Sequence, residues 1–523
     1  MVKVSKVFHN LYRDSVSLMQ VSAALADRPG VAQASAVMAS ASNIDLLRES
    51  GLLDGDAGGE HGASDLLIVV EGEADVVESA LADAESLLTR ESQAHSGSGP
   101  TPIAPRSIEM GLHELPGANL ALISTPGEYA AAEARKALNL GLNVMLFSDN
   151  VTLADEIALK RLAADRDLMV MGPDCGTAIV DGAPLGFANV VRRGAIGAVA
   201  ASGTGLQQVT CLIDRSGKGI SQALGTGGRD LKTEVGGATM LRGLQALARD
   251  PATEVIVLVS KPPAEQVATR ILEQAADIPK PVVVNFLGTA LQDRPAEAVY
   301  LAQTLEDAAA AAVALVDGDE PRPAGDSVTP NEPAIDTLIA ELASTQRYVR
   351  GLFTGGTFCY EALLLLSKTL GPVYSNTPLD AKYALSDLWR SEAHTLVDLG
   401  DDAFTRGRAH PMIDPTLRNE RIVSEADDPG VAVILLDLVL GHGAHDDPAE
   451  QLAASINAAR DKAARDGRAI AFVASVCGTG ADPQGLEGQE SALREAGVVL
   501  TVSNAAAARA AARIAAREKQ VYT

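Results

Sequence analysis

Short apolar runs alternate with amphipathic stretches of ten residues or more along most of this chain. In the first hundred residues the apolar runs at 6–12, 33–38 and 65–70 read as strands. The stretches at 15–27 and 74–88 carry helical spacing. That order predicts a small βαβ-type α+β domain over residues 1–95, ferredoxin-like or ACT-like. The segment ESQAHSGSGPTPIAP (91–105) breaks the pattern with Ser, Gly and Pro, and residues 96–114 are assigned as a linker.

From residue 118 the alternation becomes regular. NLALIST breaks at Pro126-Gly127, a helical stretch runs to Gly141, and NVMLFSD, a second helix and LMVMGPDCG follow. Apolar runs too short for helices, separated by helices, predict a parallel sheet covered on both faces. Residues 115–192 are therefore expected to form a Rossmann-like domain. The turn Gly172-Pro173-Asp174-Cys175 lies at the C-terminal edge of its last strand, the edge where such sheets bind ligands.

Two further units, 193–316 and 347–523, repeat one another across a Pro- and acid-rich linker at 317–346. GAVAASGTGLQ matches RGLFTGGTFCYEA, EVIVLVSKPPAEQVATRI matches VAVILLDLVLGHGAHDDPAEQLAASI, and PVVVNFLGT matches IAFVASVCGTG. The predicted fold class is α/β: a Rossmann-like domain, two parallel-sheet domains of flavodoxin-like type, and a small N-terminal α+β domain.

Composition narrows the function. The 523 residues are 47% hydrophobic but only 3% aromatic, so the cores are built from Ala, Val, Leu and Ile. A net charge of −25 without a long basic block argues against nucleic-acid and anionic-membrane partners. Four scattered cysteines, an N-terminus without a signal-peptide core and no long apolar run lead us to expect a soluble, cytoplasmic protein.

The glycine loops carry the candidate chemistry. Ser202-Gly203-Thr204-Gly205 ends one strand and opens a helix, and Thr354-Gly355-Gly356-Thr357 does the same in the second copy. Backbone N–H groups at a helix start suit phosphate or carboxylate, and the hydroxyls of Ser202, Thr204, Thr354 and Thr357 add donors. A further glycine turn, Gly227-Gly228-Arg229-Asp230, is grouped with these anion sites. No GxxxxGK[ST] motif occurs, which excludes a P-loop. A tight structural turn is the alternative reading of each loop taken singly.

No histidine lies between residues 114 and 393. Arg406, Arg408 and His410, in a proline-stiffened segment after a strand, form a candidate catalytic clamp for a carboxylate or phosphate. GHGAHDD (441–447) has a metal-like HxxH spacing, but helix-capping acids beside a surface or catalytic histidine are the preferred reading, and no metal is expected. Cys175 is read as a small buried turn residue rather than a nucleophile.

The series GPDCGTAIV, AIGAVAASGTGLQQVT, ALGTGGRDL, EVIVLVSKPPAEQ and PKPVVVNFLG resembles the α subunit of succinyl-CoA synthetase and its acyl-CoA synthetase relatives. The third unit is similar to the C-terminal domain of that enzyme's β subunit. The resemblance implies that residues 115–192 are a CoA-binding-type domain closed by the 172–175 turn. It also implies that Ser202–Thr204 and Gly227–Asp230 line a phosphate site. The histidine which that family phosphorylates should follow PVVVNFLGT, yet LQDRPAEAVYLAQ contains none, and no segment has the length of an ATP-grasp domain.

The fused arrangement with GRAHPMIDP resembles the FdrA family. That resemblance implies a subunit of an oxamate carbamoyltransferase of allantoin breakdown, converting oxalurate and phosphate to oxamate and carbamoyl phosphate alongside two further subunits. Phosphate would be a substrate, CoA remains an open ligand, and a homo- or hetero-oligomer is expected. An acid–CoA ligase subunit working with an ATP-grasp partner, and a metabolite-sensing scaffold, are the alternatives.

Overall fold

The computed structural model describes residues 1–9, 11, 13, 15–49, 51–53, 62, 65–93, 105–289, 296–322, 332–405 and 408–517. They divide into two compact units, one of 1–173 with 402–414 and one of 174–401 with 415–523.

The first unit begins with β1 (Val2–Phe8), α1 (Ser15–Ala26), β2 (Val31–Met38), α2 (Ala41–Glu49), β3 (Leu66–Gly72) and α3 (Ala74–Gln93). The strand order is β1-β3-β2, with β3 antiparallel to both neighbours, which is a split βαβ. Leu66, Ile68 and Val70 face α1 and α3, while Leu67 and Val69 face Ile44 and Leu47 of α2. β1 starts four residues before the expected strand. Lys3 and Lys6 mask an alternation whose register, Val4 opposite Val70 and Phe8 opposite Leu66, is set by β3.

Next come α4 (Ile108–Glu114), β4 (Leu120–Ile123), α5 (Gly127–Asn139), β5 (Asn143–Leu146), α6 (Leu153–Asp165) and β6 (Val170–Met171). α4 falls inside the expected linker, held by Ser107, whose side chain accepts the Met110 N–H. The three strands form a parallel sheet, β4-β5-β6. Its cover is alanine-rich: Ala130, Ala134 and Ala137 of α5 lie buried against Val144 and Leu146.

The second unit opens with a hairpin, β7 (Thr177–Val180) and β8 (Ala183–Gly186). This hairpin pairs antiparallel with the following sheet through Ile179 and Ala223, so the chain enters that sheet before residue 193. β9 (Arg193–Ala200), α7 (Gly203–Arg215), β10 (Ile220–Gly225), α8 (Ala238–Arg249), β11 (Val255–Ser260), α9 (Glu265–Ala276), β12 (Val282–Phe286), β13 (Val299–Leu301) and α10 (Leu305–Asp317) complete it. The order is β13-β12-β11-β9-β10-β7-β8.

After α11 (Glu332–Glu341), the second copy runs β14 (Tyr348–Phe353), α12 (Gly356–Leu370), β15 (Tyr374–Ser375) and β16 (Thr395–Asp398). α13 (Asp402–Thr405) belongs to the first unit. The copy resumes with α14 (Thr416–Glu425), β17 (Val431–Val439), α15 (Pro448–Arg465), β18 (Ala471–Cys477), α16 (Leu486–Glu495), β19 (Val499–Thr501) and α17 (Asn504–Ala516). Its order is β15-β16-β14-β17-β18-β19.

Counted within each copy, the parallel strands β9–β13 run 2-1-3-4-5, the flavodoxin-like order, and the second sheet has the same order once its extra two-residue edge strand β15 is set aside. β11, β17 and β18 are buried along their whole length, as continuous apolar strands covered on both faces should be. In each sheet the winding reverses beside the first strand, β9 or β14. The loops that leave those two strands are the glycine loops.

Candidate functional site

Each glycine loop forms a helix start at a topological switch point, the crevice where open α/β sheets receive ligands. Ser202 is the N-cap of α7, and its Oγ accepts the Gly205 N–H at 2.9 Å. Gly355 is the N-cap of α12. The two starts meet: Ser202 Oγ and Thr357 Oγ1 are 2.6 Å apart, and a Cβ on Gly355 would lie 3.0 Å from Thr204 Cγ2. Glycine at 355 therefore lets the second loop pack against the Thr204 side chain of the first. The N–H groups of Gly203, Thr204, Gly356 and Thr357 stand in the opening turns, where a helix supplies no acceptor.

The loops are not equivalent. Asp437, buried on β17, accepts Thr354 N–H at 2.8 Å, Thr354 Oγ1–H at 2.9 Å and Gly355 N–H at 2.8 Å. Those donors brace the loop and are not left for a ligand. Behind Asp437 lies buried Arg418, whose NH1 donates to the Asp437 carbonyl at 2.8 Å and approaches its carboxylate at 3.4 Å. Burial raises the Asp437 carboxyl above its ordinary range, against the pull of Arg418, and burial lowers the Arg418 guanidinium.

Two residues that motif reading missed border the second loop. Asp398, ending β16, and Lys261, following β11, lie over Gly356. A Cβ there would sit 2.4 Å from Asp398 Oδ2 and 3.4 Å from Lys261 Nζ. Asp398 Oδ1 accepts the Gly400 N–H at 3.0 Å. Burial raises the Asp398 carboxyl to about 6, opposed by the nearby Lys261 charge. The signal available in sequence was a lysine directly after an apolar strand, in VLVSKPP.

The 227–230 turn leaves β10 beside the end of β9, where Thr226 N–H donates to the Ala200 carbonyl at 2.9 Å. Asp230 is buried and accepts Thr239 N–H at 3.1 Å and Met240 N–H at 2.9 Å, so its carboxylate caps the start of α8. Gly227 adopts a φ of +84°, and a Cβ on Gly228 would lie 3.5 Å from Asp174 Oδ2. Arg229 belongs to the same turn. Cys175 is buried, with its thiol 3.6 Å from the Thr177 carbonyl, and a Cβ on Gly225 would lie 2.6 Å from its sulfur. Gly172 and Pro173 close the three-stranded sheet after Met171.

Arg406 lies outside the described residues, and Arg408 is exposed. Half-buried His410 accepts the Met412 N–H through Nδ1 at 3.2 Å, and burial lowers its imidazole to about 4. At neutral pH it is an uncharged ring rather than the third cation of a clamp, and it belongs to the first unit. In the HxxH segment, His445 Nδ1 accepts the Asp447 N–H at 3.1 Å, and Asp447 caps α15. The capping reading describes these residues, and among the described residues no three His, Cys, Asp or Glu side chains group as a metal site.

Comparison with known proteins gives the family. Over 496 residues, 95% of each chain, this sequence is 45% identical to the uncharacterized protein YahF of Escherichia coli. The chain belongs to the YahF family. Residues 352–514 match the CoA-ligase family, and residues 1–103 match the family described as AllF, heavy metal-associated domain. The succinate–CoA ligase α subunit of Aquifex aeolicus is 29% identical over 185 residues, 33% of this chain and 57% of that one. Among solved structures, the apo dinucleotide-forming acetyl-coenzyme A synthetase 1 of Ca. Korarchaeum cryptofilum is 16% identical, with a TM-score of 0.34, 81% of this chain and 88% of that one being covered.

This YahF-family chain thus combines a CoA-ligase domain with an N-terminal domain of heavy metal-associated type. That N-terminal domain has no cysteine thiolate to offer a soft metal. No cysteine precedes Cys175, and His9 Nδ1 is paired with Asp65 at 3.1 Å. In the three-stranded sheet, Thr125 Oγ1 is buried without a partner among the described residues where β4 opens onto α5, a place for a polar ligand group. No helix among the described residues is long and apolar enough to cross a membrane.

Proposed function

We propose that this chain is an acyl-transferring subunit of the CoA-ligase class, with phosphate or an acyl phosphate held where α7 and α12 begin. The observation that carries the proposal is the 2.6 Å approach of Ser202 to Thr357, which joins two helix starts at two switch points. Gly203, Thr204, Gly356 and Thr357 offer their N–H groups there, and Lys261 adds a cation. Within the first unit, Thr125 and the head of α5 are proposed as a contact for CoA. Within the first unit, Arg408 and the neutral His410 are proposed to recognise a carboxylate.

The test is calorimetric titration of the purified chain with inorganic phosphate and with CoA. Thr204→Val should weaken phosphate binding by about tenfold, the worth of one lost donor, and leave CoA binding unchanged. Phosphate affinity indifferent to residues 203 and 204 would remove the site.

A second reading keeps the same anion site and makes phosphate the attacking substrate. Residues 287–304 contain no histidine to carry a phosphoryl group, which favours direct use of phosphate. A phosphate oxygen would bond to the carbamoyl carbon of oxalurate, the C–N bond would break, and the departing oxamate nitrogen would take a proton. This is the reaction expected of an FdrA-type subunit in the cytoplasm with two further subunits. Phosphorus NMR on the co-expressed subunits with oxalurate and phosphate should show carbamoyl phosphate. Acyl-CoA formation without that signal would leave the first reading alone.

A further inference from the structure

We propose that Lys261 is the cation that receives the substrate anion between the paired loops, and that Asp398, facing the same cation over Gly356, takes up a proton as the anion enters. The inference rests on the anion-binding reading of the loops. It adds a charge, a counter-charge and a proton to that reading.

The geometry sets two negative groups in competition for one place. Asp398 Oδ2 lies so near the start of α12 that a Cβ on Gly356 would be 2.4 Å from it, with Lys261 Nζ 3.4 Å from the same point. Asp398 therefore stands against both the helix start and the lysine, whose charge acts on it. An oxyanion drawn to Gly356 N–H, Thr357 N–H and Lys261 would stand beside that carboxylate, and two adjacent negative charges disfavour the ionised acid. Lys261 from the β11 loop, Asp401 on the same loop as Asp398, and Asp437 from β17 are the charged groups that act on it, and the buried Cys359 thiol of α12, held neutral by burial, is the titratable group facing it from that helix. Two of the three charged groups are negative. With its carboxyl already raised to about 6, Asp398 is mostly ionised at pH 7 and needs only a further push to hold its proton.

In the proposed reaction that proton has a use. As the phosphate oxygen bonds to the acyl carbon, the bond to the leaving group breaks and the leaving atom takes the proton from the Asp398 carboxyl. Asp398 is thereby returned to the carboxylate, with Lys261 unchanged as ammonium. Binding and protonation are linked reciprocally, so anion affinity must rise as pH falls through the range where Asp398 titrates.

Phosphate itself exchanges protons near neutral pH, so sulfate is the probe. Calorimetry of the full chain at pH 7, in buffers of different ionisation enthalpy, should show uptake of about one proton per sulfate bound. Lys261→Met should weaken sulfate binding by about 10- to 150-fold, the worth of one charged hydrogen bond, and Lys261→Arg should restore most of it. Asp398→Asn should bind sulfate more tightly at pH 7 and take up no proton. Sulfate binding without proton uptake by the wild-type chain overturns the inference and needs no variant to fold. Equal affinity in Lys261→Met overturns it as well, while a remaining dependence on Thr204 leaves the paired-loop site standing. No sulfate or phosphate binding at all removes the paired-loop reading and this inference together.

Discussion

Removing Asp437 tests how the second glycine loop is held. Its carboxylate accepts three hydrogen bonds from Thr354 and Gly355 and faces Arg418 inside the protein. Burial disfavours both charges, and Arg418 Nε finds no acceptor among the described residues. The pair should then contribute little net stability, although either member left alone is costly. Asp437→Ala strands a buried guanidinium and three loop donors, for a loss of about 3–5 kcal/mol. Combining Arg418→Met with Asp437→Asn removes both charges and keeps an acceptor for the loop. It should return to within about 2 kcal/mol of wild type. Native-state hydrogen exchange of peptides from β14 and β17 reads both values where the change occurs. A loss below about 1 kcal/mol in Asp437→Ala, or a double variant no better than the single, would refute the reasoning.

Other substitutions probe separate features. Glu361, buried on α12, has its carboxyl raised to about 7 from the ordinary 4.5, chiefly by burial. The folded chain binds a proton there that the unfolded chain lacks, so stability falls as pH rises from 4.5 to 7, by about 3 kcal/mol, and is level above. Glu361→Gln should remove that slope from melting curves between pH 5 and 8; an unchanged slope refutes the assignment. Gly225→Ala would place a methyl 2.4 Å from the Thr177 carbonyl oxygen, backbone that cannot step aside, and should cost about 1–3 kcal/mol in urea unfolding. Cys175→Ala in that background should give no rescue. Lys160→Met leaves Glu156 buried without its 2.9 Å partner and should lower stability by about 3–5 kcal/mol; Glu156→Gln added to it should recover a large part, as read by thermal melting.

The duplicated sheets and their switch-point loops were legible because strand, glycine turn and helix are local patterns. Both copies repeat them in the same order. What the loops do with their donors was not. Asp437 braces Thr354 from 83 residues away, and only the adjacency of β14 and β17 brings it there. Lys261 and Asp398 stand 137 positions apart in sequence. They approach one backbone position only because two sheets present their edges to each other. Asp230 shows the same limit: its place in a glycine turn is local, while the Thr239 and Met240 N–H groups that its carboxylate accepts lie nine and ten residues on. The hairpin β7–β8 escaped division of the chain because a strand's alternation does not say which sheet it joins.

The contact between Ser202 and Thr357 has a consequence for how the site responds to dilution. Its two halves are tethered by about 150 residues of the same polypeptide, so their meeting is a first-order event with a fixed effective concentration. An anion pocket shared between separate subunits disperses as they dissociate. Here the facing helix starts persist at any protein concentration at which the chain itself is folded.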